Sequence, residues 1–192
     1  MSIIDIDEHI ATLDVNNPRD YIDEYLIEME KKKDDPDNTM SRKDLLGCIA
    51  DLFGAGLQTT SITLHWSIFN LATYPDMQKD LQNEVDNALP NKISPTFEDR
   101  SRMPKVEAFI TEILRYSSQA IFGVPRTVSS DTNFAGYFIP KGSIVMAAQK
   151  MVQHDKNFYS SPESFNPQRF LDVNGKFQNP KEGFLPFGIG KK

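Results

Sequence analysis

One cysteine, Cys48, stands in 192 residues, beside only three histidines and one tryptophan. A single thiol excludes an internal disulfide framework and any cysteine-rich zinc module. The histidines, His9, His65 and His154, are scattered and offer no metal-ligand spacing. Basic charge is also short: 21 Lys and Arg against 27 Asp and Glu leave a net charge of −6. Broad electrostatic attraction to nucleic acid or to anionic lipid is therefore disfavoured, and no nucleic-acid partner is expected. The opening segment, MSIIDIDEHIATLDV, has no basic stretch followed by an apolar one, so it does not read as a secretory signal. Internal repeats and low-complexity tracts are missing. The longest apolar-rich stretch, 45–72, contains Asp51, Gln58, Thr59, Thr60, Ser61 and His65, which argue against a transmembrane span.

What is present suits one globular core. Thirteen Phe and six Tyr supply too much aromatic surface for a disordered chain, and 192 residues suffice for a sizeable core. Tyr21, Tyr25, Leu26 and Met29 recur at helical spacing, which predicts an amphipathic helix over 19–32 after Pro18. The charge run KKKDDPDNT, 31–39, reads as a solvated loop between helices. Ser41 with Asp44 three residues on resembles a capping box and opens a long apolar helix that runs until Pro75. At about 1.5 Å per residue that helix spans on the order of 50 Å. Its apolar side chains lie almost all round, which predicts burial on most faces and hints at a larger whole.

A second amphipathic helix is expected from Pro75 to Pro90, carrying Met77, Leu81, Val85 and Leu89, then a capped turn around 96–100. Pro104 opens another helix, with Val106, Phe109, Ile110, Ile113 and Leu114 forming an apolar stripe. Near Gly123 the texture changes to short alternating segments, and Pro140-Lys141-Gly142 in FIPKGSIVM reads as a hairpin-like turn. A short helix is expected near Lys150, followed by an irregular Pro- and Gly-rich tail. Helices first and small strands afterwards give a mainly α chain of the α+β class.

Four segments stand out for chemistry. AGLQTTS, 55–61, sets Gly54 and Gly56 beside Thr59 and Thr60 in the long helix. Missing side chains and hydroxyls that bond back to carbonyls suit either a ligand contact or a simple helix crossing. Glu112 and Arg115, at i and i+3, bring a carboxylate and a guanidinium together on the face opposite the apolar stripe; alone, this is an ordinary exposed pair. Arg169 in FNPQRFLD is either a forked partner for a carboxylate such as Glu112 or a surface residue. PFGIGKK, 186–192, permits a tight turn with exposed amides and by itself says little more.

Taken in this order, the four segments resemble the C-terminal half of a cytochrome P-450, a haem-thiolate monooxygenase, over essentially all 192 residues. AGLQTTS is similar to the oxygen-activating segment of the family's long central helix. Glu112 and Arg115 match its Glu-x-x-Arg, Arg169 its meander arginine, and Phe187 and Gly190 the opening of its haem-binding loop. NPRDYIDEYLIEMEKK, YPDMQKDLQNEVD, DRSRMPKVEAFITEILRY and PKGSIVM look like the animal microsomal group that oxidises steroids and foreign compounds.

The resemblance implies a partial cytochrome P-450 domain over 1–192, with a long central helix, small β-sheets and a C-terminal meander. It implies haem b as cofactor, with electrons delivered from NADPH by a cytochrome P-450 reductase. The reaction would insert one oxygen of O2 into a lipophilic small molecule such as a steroid, fatty acid or xenobiotic, at the endoplasmic-reticulum membrane. Thr59 would hydrogen-bond the dioxygen and help deliver protons. Gln58 stands where the family usually has an acid, and an amide can only orient water there. Impaired proton delivery and water carrying the protons instead are equal readings. Glu112, Arg115 and Arg169 would form a buried network that locks the meander. Arg126 in VPRTV, with Phe187, Gly190 and Lys192, would bind the cofactor, Arg126 through a propionate; the other reading of Arg126 is an exposed strand residue. Lys192 replaces the loop's usual arginine, a weaker fork. Phe53, Ala120, Ile121, Phe122 and Val124 would line the substrate pocket, and serve equally well as core residues. No metal ligand is expected within the chain, because the axial cysteine falls just past Lys192 and Cys48 reads as a buried structural thiol. The alternative is a truncated, non-catalytic fragment or remnant unable to ligate haem iron.

Overall fold

The computed structural model describes residues 6–91, 94–180 and 182–188. Six α-helices stand among the described residues: α1 (Ile6–Thr12), α2 (Tyr21–Lys31), α3 (Arg42–Thr73), α4 (Pro75–Ala88), α5 (Pro104–Ser117) and α6 (Gln149–Gln153). Four short strands, β1 (Arg126–Thr127), β2 (Thr132–Phe134), β3 (Tyr137–Ile139) and β4 (Ile144–Val145), form two antiparallel pairs. The chain is therefore mainly α, as its pattern predicts. It divides into two compact units, Met1–Gln58 and Thr59–Lys192.

In the first unit, Asp20 caps α2 by accepting the Ile22 and Asp23 amides, which is why the helix starts at Tyr21 and not at Arg19. Ile6, Ile22, Leu26, Leu45 and Ile49 form its core, with Leu13, Tyr25 and Met29 packed on them. The 31–39 loop is solvated, as expected. Ser41 accepts the Asp44 amide at 3.2 Å and donates to the Asp44 carboxylate, the reciprocal cap that opens α3. Cys48 is half-buried, not buried, and lies beside Tyr21.

The fold also brings together His9, Asp20 and Asp23, whose ligand atoms lie within 4.8 Å of one another, a grouping invisible in the sequence spacing. Other partners account for their oxygens. Arg19 donates to both Asp23 oxygens, at 2.7 and 2.9 Å, and His9 sits 3.0 Å from Asp20 Oδ2. The Arg19 hydrogen bonds hold the Asp23 carboxyl at about 2, below the ordinary 3.8, against the opposing effect of burial. A depressed folded pKa stabilises the fold above the unfolded value, and that stability is lost as pH falls towards 2. Thermal midpoints of the native chain and of Asp23→Asn are therefore expected to converge between about pH 4 and about pH 2. A gap that stays constant with pH would remove Asp23 from the acid response.

Helix α3 departs from its expected burial. Leu45 and Ile49 are buried near its start and Asn70 near its end, but every residue from Asp51 to Thr60 is exposed. Leu52, Phe53 and Leu57 in the first unit, and Leu64, Ile68 and Phe69 in the second, present apolar surface. The helix is held near its ends and bare in its middle, because only the ends meet a core cluster. By length and composition alone it could cross a membrane; the polar residues at 51 and 58–65 argue against that.

In the second unit α4 begins at Pro75 and α5 at Pro104, each proline at the first helical position. They pack through Leu81, Phe109 and Ile113, joined by Phe165, with Trp66, Leu71, Met77, Val106 and Tyr116 around them. Phe165 lies edge-on to Phe109 and Tyr116, at 5.8 and 5.6 Å between centroids. Ile110 of the expected stripe is half exposed.

The strands pair differently from expectation. Pro140-Lys141-Gly142 does form a turn, with the Ser143 amide donating to the Pro140 carbonyl at 3.2 Å and Gly142 at φ +84°. It does not close a hairpin, because β3 pairs with β2 while β4 pairs back to β1. The hairpin turn is Ala135-Gly136, whose positive φ values of +51° and +85° match the twist of the strands it joins.

Candidate functional site

Glu112 and Arg115 sit on α5, one turn apart, and neither is exposed to solvent. The apolar stripe predicted a face that left them in water. In the folded chain α5 is covered on this face too, by the 159–170 segment, which brings Arg169 to the same carboxylate. Arg115 Nε donates to Glu112 Oε2 at 2.7 Å and its terminal nitrogen to Oε1 at 2.8 Å, a forked pair. Arg169 Nε reaches Oε1 at 3.2 Å, and the Asn166 amide donates to the same oxygen at 2.8 Å. Further guanidinium hydrogens go to carbonyls: Arg115 to Gln153 at 2.8 Å, Arg169 to Ser160 at 2.9 Å and to Ser164 at 3.1 Å. Tyr159 lies beneath both cations, 5.0 Å from Arg115 and 5.8 Å from Arg169. Burial pushes the Tyr159 hydroxyl up, with Glu112 adding to it and the two arginines opposing it.

Around this cluster Ser118 ends α5 in the left-handed region, φ +39°, and donates to the Arg115 carbonyl at 2.6 Å. Gln153, on α6, donates to Ser118 Oγ at 3.0 Å. The cluster thus ties α5 to α6 and to the 159–170 segment. Sequence reasoning missed Tyr159, Ser118, Gln153 and Asn166; only Asn166 carried a signal, as the capping residue before Pro167 in FNPQRF.

The other candidates fall on two sets of elements. Thr59 and Gln58 lie in the exposed middle of α3. The Thr63 hydroxyl donates to the Thr59 carbonyl at 3.0 Å, and Gln119 donates to Thr63, which brings Ala120 towards the Thr59 turn. Ile121, Phe122 and Val124 are exposed, not core, and the segment is held by the Gly123 amide on the Ala147 carbonyl at 2.8 Å. Arg126 is an exposed residue of β1 opposite Val145. Phe187 is exposed beside Gly188, φ +76°. Phe53 is exposed in the first unit, and a Cβ on Gly54 or Gly56 would meet nothing within 4 Å. Gly190 and Lys192 lie outside the described residues.

The family model described as Cytochrome P450 matches residues 5–192. The chain belongs to the cytochrome P450 family. Among its curated relatives, human cytochrome P450 2C8 is 43% identical over 97% of the chain. Rabbit cytochrome P450 2B4 is 41% identical and spiny-lobster (Panulirus argus) cytochrome P450 2L1 39% identical, each over 97% of the chain. The chain spans 38% of the length of each of these relatives. The cofactor of the family is haem. The expected family, its mainly α fold and its cofactor class are borne out.

Proposed function

We propose that this P450 chain contributes the central helix, the buried Glu–Arg–Arg lock and the start of the haem loop to a haem-dependent monooxygenase acting on a lipophilic small molecule. The observation that carries the reading is the network of Glu112, Arg115 and Arg169, formed at hydrogen-bond distance with Glu112 and Arg115 fully buried. Haem, when bound, supplies the activation of O2 and the transfer of one oxygen to the substrate.

The residues present fit the periphery of such a group. Arg126 is exposed and makes no ion pair among the described residues, which leaves its guanidinium to hold a propionate. Ile121, Phe122 and Val124 offer exposed apolar surface two to five residues before it, suited to a macrocycle and an apolar substrate beside it. Phe187 opens the loop that continues to Gly190 and Lys192. Cys48 does not fit as the thiolate ligand of the iron, since it is half-buried beside Tyr21 in the helix of the first unit.

Within this assignment Thr59 would present a hydroxyl donor and Gln58 would orient a water beside it, the two groups through which protons would be supplied to the haem site. Ala120, Ile121, Phe122 and Val124 line the apolar pocket in the second unit, Phe53 adds apolar surface in the first, and substrates are steroids, fatty acids or foreign compounds. The redox partner is NADPH–cytochrome P450 reductase and the setting the endoplasmic-reticulum membrane, both by likeness to the family.

The test is NADPH- and reductase-dependent oxygenation of a fatty-acid probe by a polypeptide of the relatives' length that carries this chain. Thr59→Ala is expected to lower product formed per NADPH about tenfold and to divert electrons to hydrogen peroxide, with Thr59→Ser restoring most of the loss. An unchanged ratio in Thr59→Ala would remove the hydroxyl from proton delivery. Absence of any reductase-dependent product would overturn the monooxygenase reading.

A further inference from the structure

Gln149, the first residue of α6, is 5% exposed, and its Oε1 has no hydrogen-bond partner among the described residues. Burying an unpaired amide carbonyl is costly, so the side chain is not placed there for burial alone. Its other end occupies the room left by two glycines. A Cβ on Gly123 would come within 3.0 Å of Gln149 Nε2, and one on Gly188 within 2.9 Å of the same atom. Gly188 also adopts φ +76°, in a turn whose amide donates to the Leu185 carbonyl at 3.3 Å.

Three segments of the second unit therefore meet at one amide. The first is 121–124, fixed by the Gly123 amide on Ala147 and by the Lys150 amide on the Ile121 carbonyl at 3.2 Å. The second is 147–150, which carries Gln149 itself, its amide bonded to the Ala147 carbonyl at 2.9 Å. The third is the 185–188 turn.

We propose that Gln149 is a positioning residue, which registers the 185–188 turn against the 121–124 segment and so sets Phe187 relative to Arg126. What the turn carries rests on the haem reading above; the packing does not. Gly123 and Gly188 are glycines here for the same reason, since both leave space for one amide.

The experiment uses the 192-residue chain without haem, so its outcome is independent of the monooxygenase test. Two readouts report the junction: hydrogen exchange of the Gly123 and Lys150 amides, and the rate of chymotryptic cleavage after Phe187. Gln149→Ala is expected to speed both about tenfold while exchange within α5 stays unchanged. Gln149→Asn, one methylene shorter, should behave like the alanine variant, because the reach of the amide is what matters. Gly123→Ala alone should speed cleavage after Phe187 by pushing the amide aside, yet add less than about twofold in the Gln149→Ala background. Unchanged cleavage in Gln149→Ala, or effects of the two substitutions that simply multiply, would overturn the proposal. Faster exchange throughout α5 would make Gln149 a general core residue and overturn it too.

Discussion

Replacing Arg115 with alanine is expected to destabilise the second unit by about 3–5 kcal/mol, the cost of leaving a buried carboxylate without its main partner. Glu112 would keep only Arg169, at 3.2 Å, and the Asn166 amide, while the Gln153 carbonyl would lose its donor. For a domain of this size the loss corresponds to a fall of roughly 10 °C or more in thermal midpoint. Arg115→Lys should recover little, because a point-like ammonium cannot span both Glu112 oxygens and the Gln153 carbonyl at once. The double change Glu112→Leu with Arg115→Leu should cost less than the two single changes summed, since it leaves only the partly exposed Arg169, still held by the Ser160 and Ser164 carbonyls, without its carboxylate. Thermal unfolding of Arg115→Ala, Arg115→Lys, the two single leucine variants and the double variant checks this. A loss below about 1 kcal/mol for Arg115→Ala, the usual worth of an exposed pair, would mean that the site is wet.

Phe109→Ala is expected to cost a similar amount, about 3–5 kcal/mol, by opening a cavity between α4 and α5. Its ring is 5% exposed and stands 5.8 Å from Phe165, which in turn meets Tyr116, so Phe165 would lose one of the rings packed on it. Ile110, the next residue, is half exposed, and Ile110→Ala should shift stability by about 0.5 kcal/mol or less. Denaturant midpoints of the two variants read the contrast, and equal losses would misplace the buried face of α5.

That contrast shows where the sequence was informative. Helix boundaries were legible because they are chemically punctuated: Pro75 and Pro104 at first helical positions, Ser41 with Asp44 at the start of α3. Which face of a helix is buried was less so. An apolar stripe locates one covered face of α5, but the second cover comes from residues some fifty positions downstream, Asn166 and Arg169, which no local period reveals. Likeness to the family suggested that contact, and Arg169 Nε lies 3.2 Å from Glu112 Oε1. The same limit explains α3, where an all-round apolar pattern predicts burial but only its ends meet a cluster. Short-range chemistry misled in the strands as well. Pro140-Lys141-Gly142 is a genuine turn, yet register sends β4 to β1, while the modest Ala135-Gly136 pair closes the hairpin. Gln149 was invisible beforehand, because its role comes from two distant glycines meeting one side chain.

The candidate site divides in the same way. Glu112, Arg115 and Arg169 converge as their motifs imply, and Thr59 is tied through Thr63 and Gln119 to the segment that begins at Ala120. Arg126, Ile121 and Phe122 are exposed, an arrangement suited to residues whose partner is a prosthetic group and not the protein core.

The central claim is that this chain forms one part of a haem-thiolate site whose axial ligand is not Cys48. The reduced carbon-monoxide difference spectrum reads it most directly, taken on a polypeptide of the relatives' length that carries this chain and again on its Cys48→Ser variant. A thiolate-type Soret shift, the same in both, is the expected result. No such shift in either protein, or its loss in Cys48→Ser while the chain remains folded, would contradict the account.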